Sequence, residues 1–80
     1  MHLKFKSPTG KDKTVEIDSS ATIHELKTMI YEYELIPPEQ QRLVCNGKIL
    51  GIDNETLSYY KISSGNVIHM VLALRGGYSN

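Results

Sequence analysis

Leu72-Ala73-Leu74-Arg75-Gly76-Gly77 joins an alternating apolar run to a pair of glycines, and Tyr78-Ser79-Asn80 follow them. Glycine pairs usually make turns, but three residues do not form a returning strand. The pair therefore reads as part of a mobile tail. Without side chains it is narrow and free in φ and ψ, and it can lie extended in a slot too tight for any other residue. The chemistry this suits is delivery of a C-terminal carboxylate into another protein's active site. A flexible, inert end is the alternative that this feature alone leaves open.

The other residue types that do chemistry form no comparable pattern. His2, His24 and His69 fall on separate stretches without HxxxH spacing and without a carboxylate at a ligand interval, so no metal site is expected. Cys45 stands next to Val44 in a strand and points to the opposite face, where it reads as a small buried hydrophobe rather than a nucleophile. No glycine-rich phosphate loop occurs. Catalysis by the chain alone is not expected, and neither is a bound cofactor.

Size and composition narrow the classes further. Eighty residues make one domain close to the lower size for a self-sufficient core. With 40% apolar and 22% charged residues, the chain is globular rather than disordered. One cysteine excludes an internal disulfide framework and favours a reducing compartment. Nine basic and nine acidic residues cancel, so no bulk field favours nucleic acid or an anionic membrane. No apolar run approaches the ~20 residues needed to span a bilayer, and Met1-His2-Leu3-Lys4 lacks the apolar core of a signal peptide. A cytoplasmic and nuclear location is expected.

The elements that must hold the tail can be read in order. Met1, Leu3 and Phe5 alternate with His2, Lys4 and Lys6, the period of a half-buried strand. Ser7-Pro8-Thr9-Gly10 is turn chemistry. A second strand follows with Val15 and Ile17 inward, and the same face puts Lys13 inward too. Either Lys13 snorkels at the sheet edge or the register frays there. Thr22-Ile23-His24-Glu25 is a capping box, and Ile23, Leu26, Ile30 and Tyr33 then recur at helical spacing. Met29 sits at the margin of that face. Pro37-Pro38 ends the helix, and Leu35 stands where a left-handed glycine would be favoured. Asn46-Gly47 between two apolar runs signals a tight hairpin. Residues 51–55 read as a loop, and residues 56–60 as one tight turn with Leu57, Tyr60 and Ile62 inward. The last strand alternates Ile68, Met70, Leu72 and Leu74 on one side with Val67, His69, Val71 and Ala73 on the other. The expectation is an α+β fold, a mixed sheet of about five strands with one main helix packed across it: a β-grasp.

Residues 1–6, Thr9-Gly10-Lys11, Lys27, Ile30, Ile36-Pro37-Pro38, Gln40-Gln41-Arg42-Leu43, Gly47-Lys48, Leu50, Thr56-Leu57-Ser58, Tyr60 and Arg75-Gly76-Gly77 closely resemble the ubiquitin superfamily. The likeness runs to Gly77 with one extra residue in the 51–55 loop. Within the superfamily, Val71-Leu72-Ala73-Leu74-Arg75-Gly76-Gly77 resembles the Nedd/Rub branch, the modifier of cullins. Ubiquitin itself carries arginine where this chain has Ala73. Cys45 replaces a residue that is aromatic in these relatives. With Leu35 and Lys13, it points to a fold less robust than is usual for the superfamily.

The resemblance implies a grasp domain over residues 1–74, a flexible conjugation tail over 75–77 and an extension over 78–80 that a C-terminal hydrolase removes at the Gly77–Tyr78 bond. It further implies that the Gly77 carboxylate, presented by Gly76-Gly77, is adenylated with ATP by an activating enzyme, passed to thiols as a thioester and joined to a target lysine. Nedd-type activating and conjugating enzymes, ligases, cullin targets and deconjugating proteases are the implied partners of a monomer. Ala73 and Arg75 would set the choice of activating enzyme. A partner-binding patch maps to Pro8, Val44, Gly47, His69 and Val71, and a second to Ile36, Leu72 and Leu74. Lys6, Lys11, Lys27 and Lys48 match lysines that ubiquitin uses for chains.

Two other readings stay open at this stage. A divergent ubiquitin shares the diglycine but not Ala73. A non-covalent ubiquitin-like module shares the fold but generally lacks a diglycine that can be exposed.

Overall fold

Alternation in the sequence becomes burial in the structure, a computed structural model that describes residues 1–72. Leu3 and Phe5 of β1 (His2–Lys6) are buried while His2, Lys4 and Lys6 are exposed. The chain continues through β2 (Asp12–Glu16), α1 (Ile23–Glu34), a 3-10 turn (Pro38–Gln40), β3 (Gln41–Cys45), β4 (Lys48–Ile49) and β5 (Val67–Leu72). The strands form one five-stranded sheet in the order β2-β1-β5-β3-β4. β5 lies in the middle, parallel to β1 and antiparallel to β3. The parallel pair requires a crossover, and α1 belongs to it. This is the expected β-grasp.

The helix starts where the capping box places it. Thr22 Oγ1 accepts from the Glu25 amide at 3.1 Å, and Glu25 Oε1 accepts from the Thr22 amide at 2.9 Å. The two preceding free donors go to the 51–55 loop: Ile23 N–H donates to the Glu55 carbonyl at 2.9 Å and His24 N–H to the Asp53 carbonyl at 3.0 Å. The first turn is thus fully satisfied, and the loop is fastened to it. At the other end Leu35 is the C-cap with φ 58° and ψ 27°, the left-handed conformation its position demanded. Its amide still donates to the Tyr31 carbonyl at 2.9 Å.

The core lies between the helix and the inner sheet face. Ile23, Leu26 and Ile30 pack against Leu3, Phe5, Val15, Leu43, Cys45, Ile68 and Met70, with Leu50, Leu57 and Ile62 closing one end. Cys45 is buried, and burial raises its thiol pKa against a smaller opposing effect of Lys48. Asn46 (φ 54°) and Gly47 (φ 76°) make the β3–β4 turn with both central residues at positive φ, the geometry that matches strand twist in a two-residue hairpin. Residues 56–61 form successive i→i+3 turns, with Leu57 and Ile62 buried and Tyr60 packed on the core.

The register at Lys13 does not fray. Lys13 pairs opposite Phe5 in β2, and its ammonium lies 4.9 Å from the centroid of the Tyr33 ring. It snorkels along the edge and gains a cation–π contact there.

Candidate functional site

The outer face of the sheet is built by register. Val44 pairs with His69 and Arg42 with Val71 across β3 and β5, and Lys6 pairs with His69 across β1 and β5. Each of these residues alternates with a buried neighbour, so Val44, His69 and Val71 are brought to one solvent-facing surface. Val71 is 51% exposed and His69 is also exposed, whereas Val44 is half-buried between strands. Clustered apolar side chains on one sheet face are the feature that marks a contact site.

Pro8 and Gly47 sit in the two turns beyond this face. Both are exposed. The Pro8 turn is held by three bonds that the sequence did not disclose. Gly10 N–H donates to the Ser7 carbonyl at 3.0 Å, Thr9 N–H donates to Ser7 Oγ at 3.1 Å, and the Ser7 hydroxyl donates to Glu34 Oε1 at 3.1 Å. That last bond ties the turn to the C-terminal end of α1.

Ile49 is the residue that the sequence reading missed. It pairs with Val44 in the β3–β4 ladder, and it is 58% exposed. The apolar surface therefore extends across Val44 to the sheet edge. The signal was present as an isoleucine in an otherwise outward position, but a two-residue strand carries too little alternation to show its face.

The second group is divided. Ile36 and Leu72 meet at Gln41: the Gln41 amide nitrogen donates to the Ile36 carbonyl at 2.8 Å and to the Lys27 carbonyl at 3.0 Å, and Gln41 is the strand partner of Leu72. Leu72 has the parity of buried Ile68 and Met70 but is itself exposed, so the strand leaves the core there. Ala73, Leu74, Arg75, Gly76, Gly77 and Tyr78 lie outside the described residues.

The four lysines differ in setting. Lys11 is exposed; Lys6, also exposed, contacts Asp12 at 3.3 Å, and exposed Lys48 donates to the Tyr60 carbonyl at 3.3 Å. Lys27 is buried, and its ammonium donates to Asp53 Oδ1 at 3.0 Å. Unlike the other three, Lys27 is enclosed by the fold. It lies on the inner side of the helix, where its charge is neutralised by the loop. The three histidines remain apart, on β1, α1 and β5.

Comparisons agree with this geometry. The Ubiquitin family profile matches residues 3–75. The chain is 47% identical to the ubiquitin-like protein NEDD8 of Dictyostelium discoideum over 77 residues, covering 96% of this chain and 99% of that one. It is 46% identical to the NEDD8-like protein RUB3 of Arabidopsis thaliana, covering 96% and 97%. Identity to the NEDD8-like protein RUB1 of Saccharomyces cerevisiae is 40%, covering 96% and 99%. A β-grasp fold, a family profile over residues 3–75 and nearly full-length likeness to these proteins give one conclusion: the chain belongs to the ubiquitin family and is of its NEDD8/RUB-like kind.

Proposed function

We propose that this chain is a protein modifier, joined through Gly77 to lysines of target proteins. The observation that carries the reading is the sequence Leu74-Arg75-Gly76-Gly77, which begins two residues after the middle strand of the sheet leaves the core at Leu72. A hydrolase first adds water across the Gly77–Tyr78 peptide bond, freeing the Gly77 carboxylate. That carboxylate attacks ATP on an activating enzyme, giving an acyl adenylate and pyrophosphate. An enzyme thiolate then displaces AMP to form a thioester. Finally a lysine amine displaces the thiolate, forms an isopeptide bond and loses a proton. The modifier supplies the acyl group, and other proteins supply nucleophile, base and ATP site.

Nedd-type activating and conjugating enzymes, ligases and deconjugating proteases are the proposed partners, with cullins as the first targets to examine in cytoplasm and nucleus. Support comes from NEDD8/RUB-like relatives matched over nearly their whole length and from Ala73, which removes a cation beside the tail. The outer sheet face around Val44, Ile49, His69 and Val71 is the proposed docking surface once the modifier is attached.

The test uses protein ending at Gly77, incubated with ATP and purified Nedd-type or ubiquitin-type activating enzyme. Thioester is scored as a band that disappears on reduction. Charging mainly by the Nedd-type enzyme is the expected result. Charging mainly by the ubiquitin-type enzyme would instead assign a divergent ubiquitin, and charging by neither would overturn conjugation.

A further inference from the structure

Of Asn46, Asn54, Asn66 and Asn80, only Asn46 is followed by glycine. Glycine has no side chain to hinder its own amide nitrogen, so in an Asn-Gly pair that nitrogen most readily attacks the preceding side-chain amide. Asn46 and Gly47 are both exposed at the tip of the β3–β4 hairpin. The space beside Gly47 is open, with nothing within 4 Å of where a Cβ would stand.

The Asn46 side chain is nevertheless held. Its Nδ2 donates to Asn66 Oδ1 at 3.1 Å, and the same oxygen accepts the Ser63 amide at 3.0 Å. A backbone N–H can only donate, so it fixes Oδ1 as the atom Asn66 presents. The group facing that oxygen from Asn46 must then be the amide nitrogen. Asn66 is itself anchored: its N–H donates to the Ser63 carbonyl at 3.0 Å, and its carbonyl accepts the Lys4 amide at 2.9 Å. The hairpin tip is thus clasped to the turn that leads into β5.

We propose that Asn46 is a site of spontaneous deamidation and that the Asn66 side chain sets its rate. Ring closure requires the Asn46 side chain to rotate toward the Gly47 nitrogen, and the clasp holds it toward Asn66. Once the clasp opens, the Gly47 nitrogen gives its proton to solvent and attacks Asn46 Cγ. The Cγ–Nδ2 bond breaks, and the amide nitrogen takes a proton from water and leaves as ammonia. Water then opens the cyclic imide at either carbonyl, giving aspartate or isoaspartate. The net reaction consumes water and releases ammonia. Its product reverses the contact, because an aspartate at this position has only acceptor oxygens to set against Asn66 Oδ1. Asn66 re-pairs only by turning its own NH2 to the new carboxylate, which takes Oδ1 away from the Ser63 amide. The turn before β5 loses a bond, and a chain of zero net charge becomes anionic.

The test follows the folded protein at mildly alkaline pH, with peptide mass spectrometry to locate the amide-to-acid mass gain. Gain at Asn46, with Asn54 and Asn66 unchanged, is expected. Asn66→Ala removes the acceptor and should speed the reaction by roughly threefold to tenfold, the factor by which one net hydrogen bond shifts an equilibrium. Asn66→Asp keeps an acceptor for both the Ser63 amide and Asn46, and should hold the rate at or below that of the wild type. In denaturing urea all three proteins should react alike, because the clasp exists only in the fold. Asn46→Asp reproduces the product, and its Ser63 amide should exchange with solvent faster than in the wild type. No gain at Asn46 overturns the site. Equal rates for folded wild type and N66A, or an N66D as fast as N66A, overturn the control by Asn66. Unchanged exchange at Ser63 in N46D overturns the reversal of the contact.

Discussion

Lys27 of the helix and Asp53 of the following loop meet at 3.0 Å, with the lysine side chain 10% exposed and the carboxylate 48% exposed. The pair reaches across 26 residues and works with the Asp53 carbonyl, which receives the His24 amide. One residue thus holds the helix through both its side chain and its backbone.

Because Lys27 is enclosed, its amine reacts only when the loop opens locally. Brief acetylation followed by peptide mass spectrometry should modify Lys6, Lys11 and Lys48 while Lys27 lags by roughly tenfold or more. Asp53→Ala leaves the ammonium in place without its partner and should cost roughly 1–3 kcal/mol, less than a fully buried pair because Asp53 is half in solvent. Equal labelling of all four lysines would show that the loop does not protect the site.

Leu35→Gly should stabilise the fold by about 1 kcal/mol, because glycine adopts positive φ without steric cost and little buried surface is lost. For a domain of this size the melting temperature should rise by about 4–8 °C, read by circular dichroism. Leu35→Ala keeps the strain and should not gain. A gain of equal size in both variants would place the effect in side-chain exposure rather than in the backbone.

Tyr33 carries a different cost. Its ring meets Phe5 edge-on at 5.9 Å, but its buried hydroxyl has no hydrogen-bond partner among the described residues. Burial, and secondly the Glu34 carboxylate, push the phenol from 10.0 to about 12. The folded state therefore keeps its proton where the unfolded chain has lost it. The resulting stability is complete below pH 10 and is lost progressively as pH rises toward 12. Tyr33→Phe removes the unpaired hydroxyl and should be neutral or stabilising by up to about 1 kcal/mol at neutral pH. Denaturant titrations of the two proteins between pH 9 and pH 12 should show a shallower alkaline decline for Y33F.

Local signals were legible wherever the physics is local. The capping box at Thr22 and Glu25, the positive φ at Asn46 and Gly47 and the left-handed Leu35 each follow from a few adjacent residues. Alternation in β3 and β5 was enough to put Val44, His69 and Val71 on the outward side of their strands. Contacts between distant segments were not legible. Nothing near Lys27 in the chain announces Asp53, and nothing near Ser7 announces Glu34. Lys13 was ambiguous because its partner, the Tyr33 ring, comes from the helix. Ile49 was overlooked because the register with Val44, not the two-residue strand itself, decides which way it faces.

Ala73 yields the sharpest functional prediction. If a Nedd-type activating enzyme encloses this part of the tail, Ala73→Arg brings a guanidinium into a site without a counter-charge. Leaving a cation desolvated and unpaired costs several kcal/mol, whereas a methyl group costs nothing. The substitution should therefore lower kcat/KM for charging by the Nedd-type enzyme by roughly tenfold or more. Charging by a ubiquitin-type enzyme, whose own substrate carries arginine here, should rise. Both are measured by ATP–pyrophosphate exchange with protein ending at Gly77, over a range of modifier concentrations. Unchanged kcat/KM on both enzymes would remove Ala73 from the choice of pathway and leave Arg75 as the remaining charged determinant of the tail.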